Sequence, residues 1–204
     1  MIFEDFAYIR MPQERTPERL LEHSGMPRTL AHVRAVAQEC ARIAERFGLD
    51  KEKCCLAGIL HDVSAVIRRE DMLRWAKERG MPLCQAEERY PFLLHQRLSR
   101  IAAEEAFGVQ DQDVLSAVEC HTTLKANAAP CDMALFIADK IAWDQPGEPP
   151  YLKAVEEALE QSLEAACLAY MTYAEEAGKL LYPHDQWTEA VCWLRETIQV
   201  NRGK

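Results

Sequence analysis

An all-α single domain is what this sequence predicts, and three observations carry the prediction. The length of 204 residues suits one hydrophobic core. Apolar residues make up 49% of the chain, ample for that core, while Gly and Pro number only 8 and 10. Long segments repeat their apolar residues with the period of a helix.

Composition also excludes classes. Lys and Arg total 24 against 33 Asp and Glu, a net charge of −9, so the chain lacks the footprint of a protein that tracks long nucleic acid. A small anionic substrate stays open, because a bound metal inverts the local field. The 8 cysteines form no C-x-x-C pair. Most stand at helical apolar positions (Cys40, Cys54, Cys55, Cys120, Cys192), where a free thiol behaves as a small hydrophobe. A reducing, cytoplasmic setting is the expectation. The opening MIFEDFAYIRMPQER has acids early and no apolar core of a signal peptide. No apolar run approaches the roughly 20 residues that span a bilayer.

Residues 1–15 show no period and are expected as an extended or weakly ordered lead-in. Thr16-Pro17 reads as a cap with Pro at the first helical position of a short helix ending near Ser24-Gly25. His23 lies at its polar end as a solvated residue. From Pro27 to Phe47 a long helix is expected, closed by Gly48. His32, Val36, Cys40, Ile43 and Phe47 form its core-facing stripe. Asp50 caps the next helix, whose stretch CCLAGILHDV is apolar from Cys54 to Leu60 and so buried. Its expected end is near Ser64, and it delivers His61 and Asp62 side by side into the core.

An amphipathic helix over residues 69–79 follows, closed by Gly80-Met81-Pro82. A helical stretch through Glu87 is interrupted at Pro91. In PFLLHQRLSRIAAEEAFG, His95 shares a face with Leu98 and Ala102, and Gly108 ends the helix. Asp111 caps DVLSAVECHTT, with Val114, Val118 and His121 on one face. Residues 124–130 form a loop. In DMALFIADKIAW, Asp139 interrupts an apolar run and faces inward. Lys140 is not expected to neutralise it, since neighbours in a helix do not share a face. DQPGEPP is the strongest loop signal. One helix from Tyr151 to Leu181 is expected next, then Pro183, His184 as a cap-region residue, and a last helix over residues 185–200. Residues 1–26 thus make a lead-in and short helix, and residues 27–200 one helical domain. Within it, helices of 27–143 bear the inward polar residues and helices of 151–200 support them.

Four of the 6 histidines, together with two aspartates, project inward in the order His32, His61-Asp62, His95, His121, Asp139. A carboxylate buried without a partner costs several kcal/mol or stays protonated, and a metal is the strongest partner available. Imidazole and carboxylate without thiolate suit iron, manganese or zinc. Six ligands are too many for one metal with open positions and about right for two that share a carboxylate. A purely structural reading leaves several buried groups unsatisfied. P-loop, dinucleotide-fold and serine-hydrolase motifs are absent.

This pattern resembles the HD-domain metal-dependent phosphohydrolases, and most of all their YqeK-type branch of symmetrical diadenosine tetraphosphate hydrolases. The pieces that carry the likeness are RTLAHVRAVAQECARIAERFGLD, AGILHDV, DVLSAVECHTT, FIADKI and YPHDQWTEAVCWL. The resemblance implies an HD-type bundle around a buried dinuclear, di-iron centre, with manganese or zinc as the alternatives. It implies that His32, His61, Asp62 and Asp139 hold one metal, and that Asp62 bridges to a second held by His95 and His121. His61 and Asp62 would then be the catalytic pair. A bridging hydroxide, its pKa lowered toward about 7, would split the tetraphosphate into two ADP.

The chain departs from the branch at three places. Ala65 stands where relatives carry Lys, Gln96-Arg97 follow His95 in place of Gly, and IAWDQPGEPP stands where relatives carry a Glu-Pro and an Arg, with no Arg in it. Arg97 and Lys125 are the first candidates to replace those cations at the substrate, with Arg100 and Lys140 behind them. The alternative function is a metal-bearing nucleotide sensor without turnover. The expected partner is a small nucleotide, with neither long nucleic acid nor membrane, and a homodimer is an admissible assembly.

Overall fold

The computed structural model describes residues 1–180 and 182–202, and among them there are eleven α-helices and no strand. They are α1 (Pro17–His23), α2 (Pro27–Phe47), α3 (Lys51–Leu60), α4 (Arg69–Glu78), α5 (Gln85–Arg89), α6 (His95–Phe107), α7 (Gln112–Cys120), α8 (Pro130–Ile141), α9 (Leu152–Leu159), α10 (Leu163–Glu176) and α11 (Asp185–Arg202). The caps read from the sequence form as hydrogen bonds. Thr16 accepts from the Arg19 amide, Asp50 from Glu52 and Lys53, and Asp111 from Asp113 and Val114. Gly48 and Gly108 close α2 and α6 in the left-handed region, at φ 65° and 70°.

α3 is the centre of the packing. A Cβ on Gly58 would lie 2.7 Å from the Ala37 Cα and 2.9 Å from its amide nitrogen, so only glycine lets α3 press against α2 this closely. The main core gathers Val36, Ile43, Leu60, Leu115, Leu135, Phe136 and Leu194, fed by α2, α3, α7, α8 and α11. A second core joins Leu20, Leu21, Val63, Trp75, Leu94 and Leu98.

Three expectations are corrected. The opening residues are not an extended lead-in: Ile2, Phe3 and Phe6 are buried in the second core, and the Trp75 indole donates to Asp5 at 2.8 Å. Burying such side chains stabilises by about 1.5–3 kcal/mol each. Helix α3 stops at Leu60 rather than near Ser64, and residues 63–66 form a 3-10 turn. The Ser64 amide is taken by the Ser99 hydroxyl at 3.1 Å, and the Ser64 hydroxyl donates to the His95 carbonyl at 2.8 Å. The long helix expected from Tyr151 is two, α9 and α10, because Ser162 turns extended and caps α10 through the Ala165 amide. The end expected at Leu181 lies outside the described residues.

Candidate metal centre

All six inward residues meet. α2 brings His32 on its first turns, the end of α3 brings His61 with Asp62 just beyond it, and α6 opens with His95. His121 follows the last residue of α7, as His61 follows that of α3, and α8 carries Asp139. The four imidazoles stand in a row. Ring centroids are 5.2 Å apart from His32 to His61, 4.8 Å from His61 to His121, and 4.9 Å from His121 to His95.

The carboxylates lie along that row. Asp139 Oδ1 is 3.0 Å from His32 Nε2 and 3.7 Å from His61 Nε2. Asp62 turns one oxygen to His61 Nε2 at 3.7 Å and the other to His95 and His121 Nε2 at 3.6 and 3.7 Å. Asp62 is therefore the one carboxylate within 4 Å of three of the imidazoles, His61, His95 and His121.

Backbone carbonyls fix the tautomers. His61, His95 and His121 each donate from Nδ1 to the carbonyl three residues earlier, on Gly58, Phe92 and Val118, at 2.8, 2.6 and 2.8 Å. Each Nε2 is then left as a bare acceptor, which is how a ligating imidazole is prepared. His61 Nε2 is buried with no hydrogen-bond partner. The Nε2 atoms of His95 and His121 face each other at 3.0 Å, and only a Thr122 hydroxyl, also 3.0 Å from His95, is at hand to donate. Two bare lone pairs at that distance repel. Two nitrogens in adjacent positions on one metal, each about 2.1 Å from it, lie about 3.0 Å apart. The donor set thus fits a metal: His32, His61 and Asp139 place donor atoms within 4.8 Å of one another, and so do His61, Asp62 and His121.

The electrostatics agree. Burial works to raise the Asp62 carboxyl, yet the facing His61, His95 and His121 hold it below the usual carboxylate range. Burial also opposes charge on Asp139, but Lys140 and His32 hold it well below that range. Burial and the adjacent imidazoles push His121 well below the ordinary histidine value, so it stays neutral and able to bind a metal.

Lys140 corrects the sequence reading. Its ammonium hydrogen-bonds the Asp139 carboxylate of its own neighbour and stacks over the Phe136 and Tyr170 rings, 5.1 and 5.6 Å from their centroids. The four-carbon stem bends back where Cβ directions alone would separate the two. The two cations first named for substrate lie elsewhere. Arg97 Nη1 holds both oxygens of buried Glu87 at 2.9 and 3.0 Å, and Lys125 is tied to Ser116 at 2.6 Å and buried Asp132 at 3.3 Å. Arg100 pairs with Glu104 and Glu119.

His23 is exposed, as expected. His184 accepts the Gln186 amide through Nδ1 at 3.2 Å, the capping role expected of it, and is buried. Sequence reasoning missed Thr122 and Gln96. Gln96 is fully buried and takes the Thr122 and Thr123 amides at 3.1 and 3.3 Å, pinning the loop that follows His121. Its place directly after His95 in the sequence was the available signal.

Residues 29–144 match the HD domain family model. An uncharacterized protein of Lactococcus lactis subsp. cremoris is 35% identical over 136 residues, 66% of this chain and 70% of its own length. The symmetrical bis(5'-nucleosyl)-tetraphosphatase of Bacillus subtilis is 27% identical over 168 residues, 81% of this chain and 87% of its own. A crystal structure of a predicted HD superfamily hydrolase involved in NAD metabolism, from Clostridium acetobutylicum, superposes with a TM-score of 0.79 at 26% identity, covering 92% of this chain and all of that one.

Proposed function

This chain belongs to the HD domain family of hydrolases, and from that premise we propose that it is a metal-dependent phosphohydrolase cleaving a phosphoanhydride of a dinucleoside polyphosphate, diadenosine tetraphosphate to two ADP. The observation that carries the reading is the position of Asp62, one oxygen toward His61 and the other toward His95 and His121. That placement supports two metals, iron first, with manganese or zinc as alternatives. His32, His61, Asp62 and Asp139 would hold one, and Asp62, His95 and His121 the other. When bound, such cations supply charge at the phosphoryl oxygens and a nucleophile at neutral pH.

The chain's own residues do the rest. Carbonyl-locked imidazoles present Nε2 without rearrangement, which is preorganisation. Lys140 fixes the Asp139 carboxylate and adds a positive charge beside it. The Thr122 hydroxyl reaches the His95 ring from the solvent side of the loop that Gln96 pins. Asp62 keeps 28% of its side chain open, so a phosphate can approach the row there. The free state of all eight cysteines agrees with a reducing cytoplasm. Among the described residues no helix is long and apolar enough to cross a membrane. The alternative, nucleotide sensing without turnover, rests on the missing cations, of which Lys140 supplies one beside Asp139.

The test is metal analysis of protein purified without chelators, joined to hydrolysis of diadenosine tetraphosphate. About two metals per chain and ADP as the sole product are expected. Metal-loaded protein that turns over no phosphoanhydride would overturn the enzyme reading.

A further inference from the structure

Eight free cysteines are spread through the fold, and among the described residues one hydrogen-bonded pair brings sulfur to sulfur. Cys54 near the start of α3 and Cys131 at the start of α8 are 77 residues apart in sequence, yet their Sγ atoms lie 3.7 Å from each other. The pair borders a cavity of about 210 Å³ that Leu49, Lys53, Asp113 and Pro130 also line. Cys131 is half-buried and Cys54 buried, so a reagent that reaches both sulfurs is close to water in size. The pair stands apart from the metal centre. Cys54 precedes His61 by about 10 Å along α3, and Cys131 precedes Asp139 by about 12 Å along α8.

Its chemistry differs from that of the other buried thiols. Burial pushes Cys40, Cys120 and Cys167 well above the ordinary thiol value, which keeps them protonated and inert. At Cys54 the hydrogen bond with Cys131 outweighs burial and brings the thiol below that value. The thiolate is the form that attacks an oxidant. A second sulfur in contact then captures the first oxidation product as a disulfide. Closing the pair from 3.7 Å to the roughly 2.05 Å of a disulfide takes about 1.6 Å, shared between two side chains and two helix starts.

We propose that Cys54 and Cys131 are a reversible oxidation site for hydrogen peroxide, forming a disulfide that ties the start of α3 to the start of α8. The Cys54 thiolate attacks one peroxide oxygen. An S–O bond forms, the O–O bond breaks, and hydroxide leaves as water, taking back the proton that Cys54 had given to solvent. The Cys131 sulfur then attacks the sulfenic sulfur. An S–S bond forms, the S–O bond breaks, and the departing hydroxide takes the Cys131 proton as a second water. Two thiols thus give up two electrons, and the peroxide accepts them. A small thiol reverses the step by exchange, and transient disulfides of this kind belong to reducing compartments. Because α3 leads into His61 and α8 carries Asp139, the bond joins the two helices that support those ligands.

The test uses the full chain, reduced, freed of reductant and exposed to hydrogen peroxide. Remaining thiols are alkylated, and the cysteines are mapped by peptide mass spectrometry. A Cys54–Cys131 disulfide that dithiothreitol reverses is expected, with Cys54 consumed at least about tenfold faster than Cys40, Cys120 and Cys167. Cys131→Ser removes the second sulfur, so oxidation is expected to stop at a sulfenic acid on Cys54 that dimedone captures. The wild-type map decides even where that variant fails to fold. A chain that keeps Cys54 and Cys131 free under peroxide would overturn the proposal. So would Cys54 or Cys131 pairing with a different cysteine, or Cys54 reacting no faster than the buried thiols.

Discussion

Two buried clusters in this molecule combine histidine with carboxylate, and they have opposite needs. Around His61 and Asp62, three imidazoles turn bare Nε2 atoms inward, two of them 3.0 Å apart, and one is left without any partner. Around Glu87, Arg97 satisfies both carboxylate oxygens, the Cys84 amide donates at 3.0 Å, and His184, whose buried Nε2 also lacks a partner, stands 4.0 Å off. Cys84, Glu87 and His184 also lie close enough to hold a metal by distance alone. The difference is the cation. The Glu87 cluster already contains one in Arg97, whereas in the first Lys140 balances Asp139 and leaves Asp62 to the imidazoles. Proximity of donor atoms marks a candidate; an unmet charge marks a site.

Removing the shared carboxylate should give the largest effect. Asp62→Ala is expected to strip most of the metal and lower kcat/KM by about 10³-fold or more, since cations there supply several kcal/mol and each 1.4 kcal/mol is tenfold. Full metal occupancy in that variant, by elemental analysis, would end the argument that Asp62 links His61 to His95 and His121 through shared metal. Arg97→Ala reverses the pattern. It leaves Glu87, only 3% exposed, as a buried unpaired charge, so a loss of about 3–5 kcal/mol is expected, with metal content kept by the folded fraction. Denaturant melts with metal analysis read both. If Arg97→Ala emptied the metal site instead, the two clusters would not be separable.

Gly58→Ala comes next. The added methyl meets Ala37 backbone at 2.7 Å, and backbone cannot step aside as a flexible side chain does. A loss of about 1–3 kcal/mol is expected. Because α3 carries His61, metal affinity should fall with stability. Unchanged metal affinity would show that the His61–Asp62 turn is held by Ser64 and Ser99 rather than by α3.

The contrast also explains what could be read in advance. The six inward residues were legible because each is a polar residue on an apolar stripe or at the end of a buried apolar run, and helix ends because Asp50, Asp111, Gly48 and Gly108 act on their own neighbours. The anchoring of Ile2 and Phe3 was not, since a segment that short has no period to read. The break at Ser162 hid within a run rich in helix formers, where tertiary packing decides whether a serine caps. Arg97 and Lys125 looked free because their partners, Glu87 and Asp132, are acids that only the fold buries.

The smallest expected effect is in acid. Burial pushes the Glu87 carboxyl up, but facing His184, the Arg97 guanidinium and the Cys84 amide outweigh it and hold it at about 2, against an ordinary 4.5. A carboxyl lowered on folding stabilises the protein above its unfolded value. That stabilisation is lost as pH falls from about 4.5 toward 2, at up to about 1.4 kcal/mol per pH unit. The lowered carboxyls of Asp62 and Asp139 also take up protons in acid, so the wild-type curve alone mixes the two clusters. Glu87→Gln separates them: it keeps the shape, removes this one proton and leaves the imidazole row untouched. Its unfolding free energy should be lower at pH 6 and fall less steeply between pH 4.5 and 2 than that of the wild type. Parallel slopes over that interval would place the acid sensitivity in the imidazole row and leave the Arg97–Glu87 pair without a part in it.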